Sequence, residues 1–389
     1  MNKLNAIRLS YFLLFASFGF YYPYIGLCLK RYSWSGVEIG LTLCLASLLG
    51  FFGQFIFSRL SDKTRNKREI FTILALTSSV IACCIGWTKG ILLCVLIAVL
   101  GLTHYPLVPL LDSVSFDLLS GKARGKYGHL RVFGTLGYLF ASAIVALFLL
   151  PIIGLHSVFY AFSLAMVISV ILPQWFPPSP VRVADQVTGS WIADKRIRWV
   201  AVMMFFFELA STCIHGYLGI YMDKYYLLSD SVIPLAWTIG LISEILLFQA
   251  SPYLLRHFTA RTVLLIGGGA AATRYLFLSS AFAISSPFWF FASQILHGFY
   301  YSIFFCAALA FLDICSPTHE RATIQSSASA FSTLGGFIIG FPLSGWLWQM
   351  FGLQTLFFVS GCFALAGLSI LFHPVLVDLS QPIVKNVGS

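Results

Sequence analysis

Twelve stretches of this chain are apolar over about 20 residues, the length that an α-helix needs to cross the hydrocarbon core of a bilayer. Backbone N–H and C=O groups inside a bilayer need hydrogen-bond partners within the protein, so these stretches are predicted to be helices. The predicted spans are residues 6–29, 37–57, 70–88, 91–117, 131–150, 155–175, 199–222, 233–251, 262–282, 287–312, 323–349 and 353–375. We therefore expect an all-α membrane protein of twelve transmembrane helices, with no soluble domain of useful size.

The composition also favours a polytopic membrane protein. Hydrophobic residues make up 59% of the chain and charged residues only 10%, and the mean hydropathy is +0.88. Soluble globular domains carry about 25% charged residues, so this composition lies far outside their range.

The net charge of +10 is explained by membrane topology better than by a nucleic-acid ligand. If the N-terminus lies in the cytoplasm, 19 of the 24 lysines and arginines fall on the cytoplasmic side, four fall on the opposite side, and Arg274 lies inside a span. This asymmetry follows the positive-inside rule. We expect a multi-pass protein of the cell inner (cytoplasmic) membrane with both termini in the cytoplasm, in contact with the lipid bilayer and with no nucleic-acid partner.

Neither a metal nor a cofactor is predicted. The nine cysteines lie in or at the ends of apolar runs without the paired spacing of metal ligands, so we interpret them as small hydrophobic residues. The sequence has no Gly-Lys-Ser/Thr loop of the kind that cradles nucleotide phosphates. ATP is therefore not expected to act on this chain.

Three ionisable residues stand near the middle of consecutive apolar runs: Glu244, Arg274 and His297. A lone charge at the centre of a span costs roughly 2.5–3.5 kcal/mol, so such residues persist where they meet each other or water. Glu244 and Arg274 can neutralise each other across neighbouring helices, and a histidine changes its charge near neutral pH. We hypothesise that the three residues form part of a path for protons and solute.

The most specific short motif is the loop after the second span, Ser58-Arg-Leu-Ser-Asp-Lys-Thr-Arg-Asn-Lys-Arg68. It resembles the loop between helices 2 and 3 of the major facilitator superfamily, although two of the family's glycines are replaced. Asp62 and Lys63 match the acid and the base of that loop. Lys67 and Arg68 match its basic tail. The loop is a cytoplasmic latch in that family, which implies a gating role for these four residues; an ordinary basic loop is the alternative.

Further blocks resemble the branch of the superfamily that contains 3-phenylpropionate permease, which is similar in turn to lactose permease and nucleoside permeases. These blocks are Pro106-Leu-Val-Pro-Leu-Leu-Asp112, Tyr127-Gly-His-Leu-Arg131, Glu244, Arg274 and Gln294-Ile-Leu-His297. The likeness runs over nearly the whole chain. It implies twelve helices in two pseudo-symmetric six-helix bundles and proton-coupled symport.

The resemblance also implies roles for individual residues. In lactose permease the matching pair on helices 4 and 5 holds substrate, which implies that role for Asp112 and Arg131. An acid, an arginine and a histidine on helices 8, 9 and 10 serve proton coupling there, which implies that role for Glu244, Arg274 and His297. The alternative for Arg131 is that it only reaches the cytoplasmic headgroups.

One acid of that family pattern is replaced. The second acid of helix 10, one turn past the histidine, is Tyr300 in this chain. A polar stripe in the seventh span shares one helix face by its spacing, and this face is expected to look away from lipid. The stripe consists of Glu208, Ser211, Thr212 and His215. Glu208 either supplies the missing acid for proton coupling or only hydrogen-bonds to a neighbouring helix.

Short matches recur across the chain at a nearly constant offset, as a parallel internal repeat would leave. Tyr24-Ile-Gly-Leu recurs as Tyr217-Leu-Gly-Ile at an offset of 193 residues, and two further matches have offsets of 200 and 198. A polar, proline-rich stretch separates the halves. The predicted domains are an N-terminal six-helix bundle at 1–176, a cytoplasmic linker at 177–198 and a C-terminal six-helix bundle at 199–389.

The leading hypothesis is a monomeric secondary transporter that takes up a small organic solute with protons by alternating access. Aromatic richness and Arg131 favour an aromatic carboxylate such as phenylpropionate, with Tyr22 and His104 as further substrate-binding candidates. A nucleoside or sugar permease, a proton-independent facilitator and an exporter are alternatives within transport. A non-transporting sensor and a membrane enzyme with a histidine base are alternatives of other classes. We expect no enzyme, because no histidine and acid stand at metal or nucleophile spacing.

Overall fold

The computed structural model describes residues 1–64, 66–119, 127–178, 194–280, 286–316 and 321–376, and nearly all of them are helical. The helices in chain order are α1 Lys3–Tyr21, α2 Ile25–Arg31, α3 Gly36–Thr64, α4 Lys67–Ile85, α5 Ile91–His104, α6 Leu107–Leu118, α7 Tyr127–Ile144, α8 Ser157–Ser169, α9 Lys195–Tyr226, α10 Ile233–His257, α11 Ala260–Ser280, α12 Pro287–Gln294, α13 Leu296–Gly298, α14 Phe305–Cys315 and α15 Arg321–Ser369. One π-helical segment, Val145–Ile153, follows α7, and another, Phe299–Phe304, joins α13 to α14.

Eleven helical segments of the described part are long and apolar enough to cross a membrane. The last of them, Ser327–Phe372, has 46 residues, so as one helix it would exceed twice the hydrocarbon thickness of about 30 Å. It is interrupted at Gly352, whose φ of 86° is incompatible with a right-handed helix. This segment therefore contains two spans, and the described helices agree with the twelve that the sequence predicts.

Two of the predicted spans are divided at a proline. Pro23 lies between α1 and α2, and Pro106 lies between α5 and α6. Proline has no N–H to donate to the helical ladder, so a helix tends to break there. Pro109, three residues further on, lies inside α6. The break before α6 places Asp112 on its own short helix.

Polar and apolar side chains are distributed as a bilayer requires. Large hydrophobic side chains such as Ile91, Leu147 and Ile152 are exposed on the outside of the helices. Polar side chains such as Glu208 and Gln294 are buried among the helices, where they can meet protein partners. The chain is therefore described as an integral, multi-pass membrane protein.

Proximity between Cα atoms divides the chain into two compact units. The first unit comprises the described residues of 1–34, 41–184 and 228–234, and the second comprises those of 35–40, 185–227 and 235–389. Most of the predicted linker, residues 179–193, lies outside the described residues. The predicted domain boundaries stay a prediction.

Glycines allow α3 and α5 to approach closely within the first unit. A Cβ atom added to Gly101 would overlap the backbone carbonyl of Ala46, and one added to Gly53 would overlap the backbone carbonyl of Leu102. Membrane helices often pack in this way, with small residues that let two backbones touch. The contact between α3 and α5 therefore depends on the absence of a side chain at these positions.

We expect Gly101→Ala to lower the free energy of unfolding by about 1–3 kcal/mol, because backbone atoms of Ala46 cannot move aside as a flexible side chain can. Gly269→Ala is the matched control, since Gly269 lies within α11 and an added Cβ would have nothing within 4 Å. Alanine is expected to be neutral or slightly stabilising at that position. Thermal unfolding of the detergent-purified variants measures both effects, and equal unfolding temperatures would contradict the close contact.

Candidate functional site

The three ionisable residues that the sequence places inside apolar runs come together in the second unit. Glu244 lies on α10, Arg274 on α11 and His297 on α13. Arg274 and His297 are 5% and 6% exposed, and the Glu244 side chain is 19% exposed. Gln294, at the end of α12, is fully buried. We call these four residues the polar cluster of the second unit.

Arg274 donates to two members of this cluster. Its Nη1 lies 3.1 Å from Nδ1 of His297, and its Nη2 donates to Oε1 of Gln294. On the other side of the imidazole, Nε2 of His297 lies 3.8 Å from Oε2 of Glu244. None of the ion pairs within 4.0 Å among the described residues includes Arg274. His297 therefore bridges the acid and the arginine, in place of the direct contact that the sequence suggested.

This arrangement assigns the tautomer of neutral His297. A guanidinium has only donors, so Nδ1 of His297 must accept a hydrogen bond and carries no proton. Nε2 then carries the proton and presents its N–H to the Glu244 carboxylate. A second proton on the imidazole would set Nδ1–H against the Nη1–H of Arg274. Glu244 is therefore the member of the trio that can gain a proton without breaking a contact of Arg274.

Small residues on α10 allow this bridge to form. The His297 ring lies over Gly240, where an added Cβ would be only 3.0 Å from its Cδ2 atom. One turn further along α10, Oγ of Ser243 accepts a hydrogen bond from the backbone N–H of Gly298 at 3.0 Å. The helix that carries Glu244 is thereby held directly against the segment that carries His297.

A π-helical segment, Phe299–Phe304, follows the bridging histidine. Short π-helical turns inside α-helices occur frequently at functional sites. Tyr301 of this segment hydrogen-bonds to His215 on α9, with 2.8 Å between the hydroxyl oxygen and Nε2. Tyr300 interacts through its side chain with Glu208, also on α9. The segment thus joins the polar stripe of α9 to the helix that carries His297.

Glu208 lies in a buried position on that stripe, with 5% exposure. Its Oε2 accepts a hydrogen bond from Ser211 at 3.2 Å, and Tyr300 is its second polar neighbour. Tyr300 is the residue that replaces the helix-10 acid of the resembled family, so this position contacts an acid carried by another helix. The arrangement fits either predicted role of Glu208, proton binding or structural hydrogen bonding.

In the first unit, two tyrosines hold the predicted substrate-binding acid. Oδ1 of Asp112 accepts hydrogen bonds from the hydroxyls of Tyr11 at 2.6 Å and Tyr127 at 2.8 Å. Arg131 is more distant, with its Nη1 4.0 Å from the same oxygen. Its guanidinium lies over the ring of Phe15, 4.3 Å from the centroid, in a cation–π contact. Asp112 and Arg131 are therefore neighbours in a weak ion pair.

The other two substrate-binding candidates also lie in the first unit. His104 is 1% exposed, with its Nε2 2.8 Å from Oγ of Ser17. Its ring lies between Phe18 and Phe162, at centroid distances of 4.3 and 4.7 Å. Tyr22 is partly exposed, and its ring centroid lies 6.2 Å from that of Phe18. His104 thus has a hydrogen-bond partner and aromatic neighbours within the protein. The substrate-binding roles of His104 and Tyr22 stay predictions.

The basic tail of the predicted gating motif contains a buried ion pair. Lys67, at the start of α4, is 6% exposed, and Asp117 on α6 has a side-chain exposure of 1%. The Lys67 Nζ lies 2.5 Å from Oδ2 of Asp117 and 2.7 Å from Oγ of Ser113. Removal of one partner from such a pair leaves a buried charge uncompensated. Lys67 therefore ties the motif to the end of α6.

The other members of the motif make fewer described contacts. Arg68 donates to the backbone carbonyl of Phe176. Lys63 is exposed at the end of α3. The side chain of Asp62, the acid of the motif, lies outside the described residues. The gating role of these residues stays a prediction.

Sequence reasoning missed Asp117, Tyr11 and Tyr127. Asp117 could have been found as a second acid in the same span as Asp112, opposite the basic tail of the motif. The tyrosines carried no comparable signal, because aromatic residues are common throughout the chain. Within the described ranges, no group of three or more histidine, cysteine, aspartate or glutamate side chains could hold a metal ion.

Comparison with known proteins agrees with this architecture. A family model described as "MFS_1 like family" matches residues 4–359. The chain is 24% identical over 377 residues to the "Probable 3-phenylpropionic acid transporter" of Escherichia coli (strain K12), over 95% of this chain and 97% of that protein. It is 26% identical over 377 residues to the maltose permease of Geobacillus stearothermophilus, over 91% and 92% of the two chains. The crystal structure of the nucleoside transporter NupG has a similar fold, with a TM-score of 0.81 at 18% identity, over 96% of this chain and 100% of that one.

Proposed function

The chain belongs to the MFS_1 like family of major facilitator superfamily transporters, and on this premise we propose that it takes up a small organic solute together with protons. Its family and its relatives are transporters, so the chain is a multi-pass membrane transporter and not an enzyme. Coupled transport by alternating access needs a group whose charge biases one conformation over another. The polar cluster of the second unit offers such a group.

Two contacts support the proposal of proton coupling: that of Glu244 with His297, and that of His297 with Arg274. A proton bound to Glu244 removes the negative charge that faces the Nε2–H of His297, so the attraction between α10 and α13 weakens. Loss of that proton restores the attraction. We propose that proton exchange at Glu244 biases the conformation in this way, through His297 and Arg274. Glu208 beside Tyr300 is the second proposed proton site.

An aromatic carboxylate is the solute that we favour. This chain is similar over 95% of its length to a protein of Escherichia coli. That protein is named as a probable transporter of 3-phenylpropionic acid. In the first unit, Arg131 is a cation stacked on Phe15, an environment that suits a solute with a carboxylate and a ring. The proposed substrate-binding residues are Asp112, Arg131, Tyr22 and His104.

Uptake of a nucleoside or a sugar is the second candidate function. It is favoured by the similarity of the fold to nucleoside transporter NupG and by the identity to maltose permease. Tyrosine hydroxyls and a carboxylate also bind the hydroxyl groups of a sugar or a ribose. These two classes of solute carry no carboxylate, which makes them separable from the favoured class by experiment.

We further propose a monomer in the cell inner membrane, with both termini in the cytoplasm. The excess of lysine and arginine on one side of the predicted spans supports this orientation. On that side, Asp62, Lys63, Lys67 and Arg68 are the proposed gate. The buried contact of Lys67 with α6 supports a structural link between the motif and the helix that carries Asp112.

Uptake by the purified protein in proteoliposomes tests this proposal. With the outside more acidic by one pH unit, we expect labelled 3-phenylpropionate to accumulate above its external concentration, and a protonophore to abolish accumulation while exchange continues. Protein-free liposomes correct for passive entry of the protonated acid, and uridine and maltose are measured in parallel. Equilibration without accumulation for every solute would contradict proton coupling. Absence of protein-dependent entry of every solute would contradict uptake.

A further inference from the structure

Nε of Arg274 and Nε1 of Trp237 are buried N–H donors of the second unit without a hydrogen-bond acceptor among the described residues. Nε of Arg261, at the start of α11, is a further such donor in this unit. Arg274 is 5% exposed and Trp237 is 7% exposed. Buried tryptophan N–H groups usually find a partner, because an unsatisfied buried donor is costly. Two such donors near each other point to an acceptor that another molecule supplies.

Both donor residues adjoin the same imidazole. Nη1 of Arg274 lies 3.1 Å from Nδ1 of His297. The ring of Trp237 stands edge-on to the His297 ring, with 6.3 Å between the centroids. Trp237 lies on α10, two turns before Glu244, so it shares the helix face that carries Gly240 and the acid. The donors therefore belong to the polar cluster and not to a separate part of the unit.

The guanidinium of Arg274 also has no negative partner among the described residues. Its two acceptors, Nδ1 of His297 and Oε1 of Gln294, are neutral. Glu244 stands on the far side of the imidazole, in contact with Nε2. A buried cation without an anion is strongly disfavoured, because its hydration is lost and nothing replaces it. An anionic ligand at this position would restore the balance of charge.

Aromatic surface lies next to the donors. The ring of His215 is 5.9 Å from that of Trp237 and 5.5 Å from that of Phe337. The ring of Tyr301 is 4.5 Å from that of His297. Aromatic rings at these distances pack favourably against one another and against an added ring. The surroundings of the donors thus suit an aryl group attached to the anion.

We propose that Arg274 and Trp237 form a carboxylate subsite for the solute, which is therefore an organic anion that carries an aryl group. The inference rests on the proposed uptake function and names the substrate class for it. The two oxygens of a carboxylate can accept hydrogen bonds from the Nε–H of a guanidinium and from an indole N–H. An uncharged nucleoside or sugar leaves the Arg274 charge without a counter-ion. This subsite lies in the second unit, whereas the family resemblance assigns substrate to Asp112 and Arg131.

Binding to the detergent-purified full chain tests this proposal. Ligand-induced thermal stabilisation is measured without a pH gradient, so the result does not depend on proton coupling. The probes are two acids with their uncharged isosteres, 3-phenylpropionate with 3-phenylpropanamide and benzoate with benzamide, together with uridine and maltose. For the wild type we expect an acid to bind at least about tenfold more tightly than its amide, because hydrogen bonds to charged groups are the stronger ones.

Trp237→Phe removes the N–H and keeps an aromatic ring in place. We expect this variant to weaken acid binding about tenfold and amide binding less, so that the ratio of the two dissociation constants falls. Trp289→Phe is the matched control, since Trp289 on α12 is 50% exposed and stands outside the cluster. It is expected to keep the wild-type ratio. A purely structural role of Trp237 would weaken acid and amide binding equally.

Four results would overturn the carboxylate subsite. The first is equal wild-type affinity for acids and amides, and the second is no binding of any acid. The third is tighter binding of uridine or maltose than of the acids, and the fourth is an unchanged ratio in Trp237→Phe. The wild-type comparisons need no variant, so they decide the matter even if Trp237→Phe folds poorly. Acid binding without accumulation under a pH gradient would overturn proton coupling alone.

Discussion

Glu244→Gln is expected to reduce solute accumulation in proteoliposomes to about the external concentration, while exchange of internal for external solute continues. Glutamine cannot bind the proton, yet it keeps the size of the side chain and leaves an amide oxygen facing His297, whose Nε2 lies 3.8 Å from the Glu244 carboxylate. One coupled proton under a gradient of one pH unit is worth about 1.4 kcal/mol, or about tenfold accumulation. Glu244→Gln is expected to lose this tenfold accumulation. Labelled solute is measured after imposing the gradient and, separately, in counterflow.

Glu69→Gln is the matched control, because Glu69 is an exposed acid in the first turn of α4. It is expected to accumulate solute as the wild type does. If Glu244→Gln also accumulates solute as the wild type does, the proton is not bound at Glu244. In that case Glu208→Gln is measured next. Loss of accumulation in Glu208→Gln would assign proton binding to Glu208, beside Tyr300.

Lys67→Met is expected to lower the free energy of unfolding by about 3–5 kcal/mol. The substitution keeps most of the apolar stem and removes the ammonium group that lies 2.5 Å from Asp117. Asp117 has a side-chain exposure of only 1%, so its carboxylate would lose the Lys67 ammonium in a buried position. Thermal unfolding in detergent, with the yield of folded protein after purification, measures the effect.

The double variant Lys67→Met with Asp117→Asn is expected to recover most of the lost stability, because the uncompensated charge is removed together with its partner. Lys63→Met controls for the loss of a basic residue from the same motif. Lys63 is exposed, so its substitution should change the free energy of unfolding by no more than about 0.5 kcal/mol. Equal destabilisation by Lys67→Met and Lys63→Met would contradict the buried ion pair.

The spans were predictable because a bilayer sets both the length and the polarity of a helix that crosses it. Even the division of the longest helix could be foreseen, since Gly352 falls in the gap between the predicted spans 323–349 and 353–375. The division of the tenth span was not foreseen. Its apolar run gives no sign of the π-helical segment Phe299–Phe304, because the choice between α and π turns depends on local packing and not on hydrophobicity.

The composition of the polar cluster could also be inferred, but its contacts could not. Charged groups in apolar spans need partners, which is why Glu244, Arg274 and His297 were expected to meet. Which of them touch depends on the rotation of each helix. Here His297 reaches between the other two because Gly240 leaves space for its ring. Hydrophobic periodicity and the positions of charged residues in the sequence do not determine how each helix is rotated about its axis.

Uncharged partners were harder to foresee than charged ones. Tyr11 and Tyr127 hold Asp112 more closely than Arg131 does. Burial of a tyrosine in a span costs little free energy, whereas burial of a charge costs much. A tyrosine in the sequence therefore does not indicate that a polar partner lies nearby. The same reason hid Trp237, whose importance rests on a single N–H group without an acceptor among the described residues.

Proton movement itself is the most direct test of the proposed coupling through Glu244. Wild-type and Glu244→Gln proteoliposomes are placed in weak buffer without an imposed gradient, 3-phenylpropionate is added, and the external pH is followed, with protein-free liposomes subtracted. We predict a protein-dependent rise in external pH as solute enters, abolished in Glu244→Gln. Protein-dependent solute entry without a rise in pH, or an equal rise in Glu244→Gln, would contradict proton coupling through Glu244.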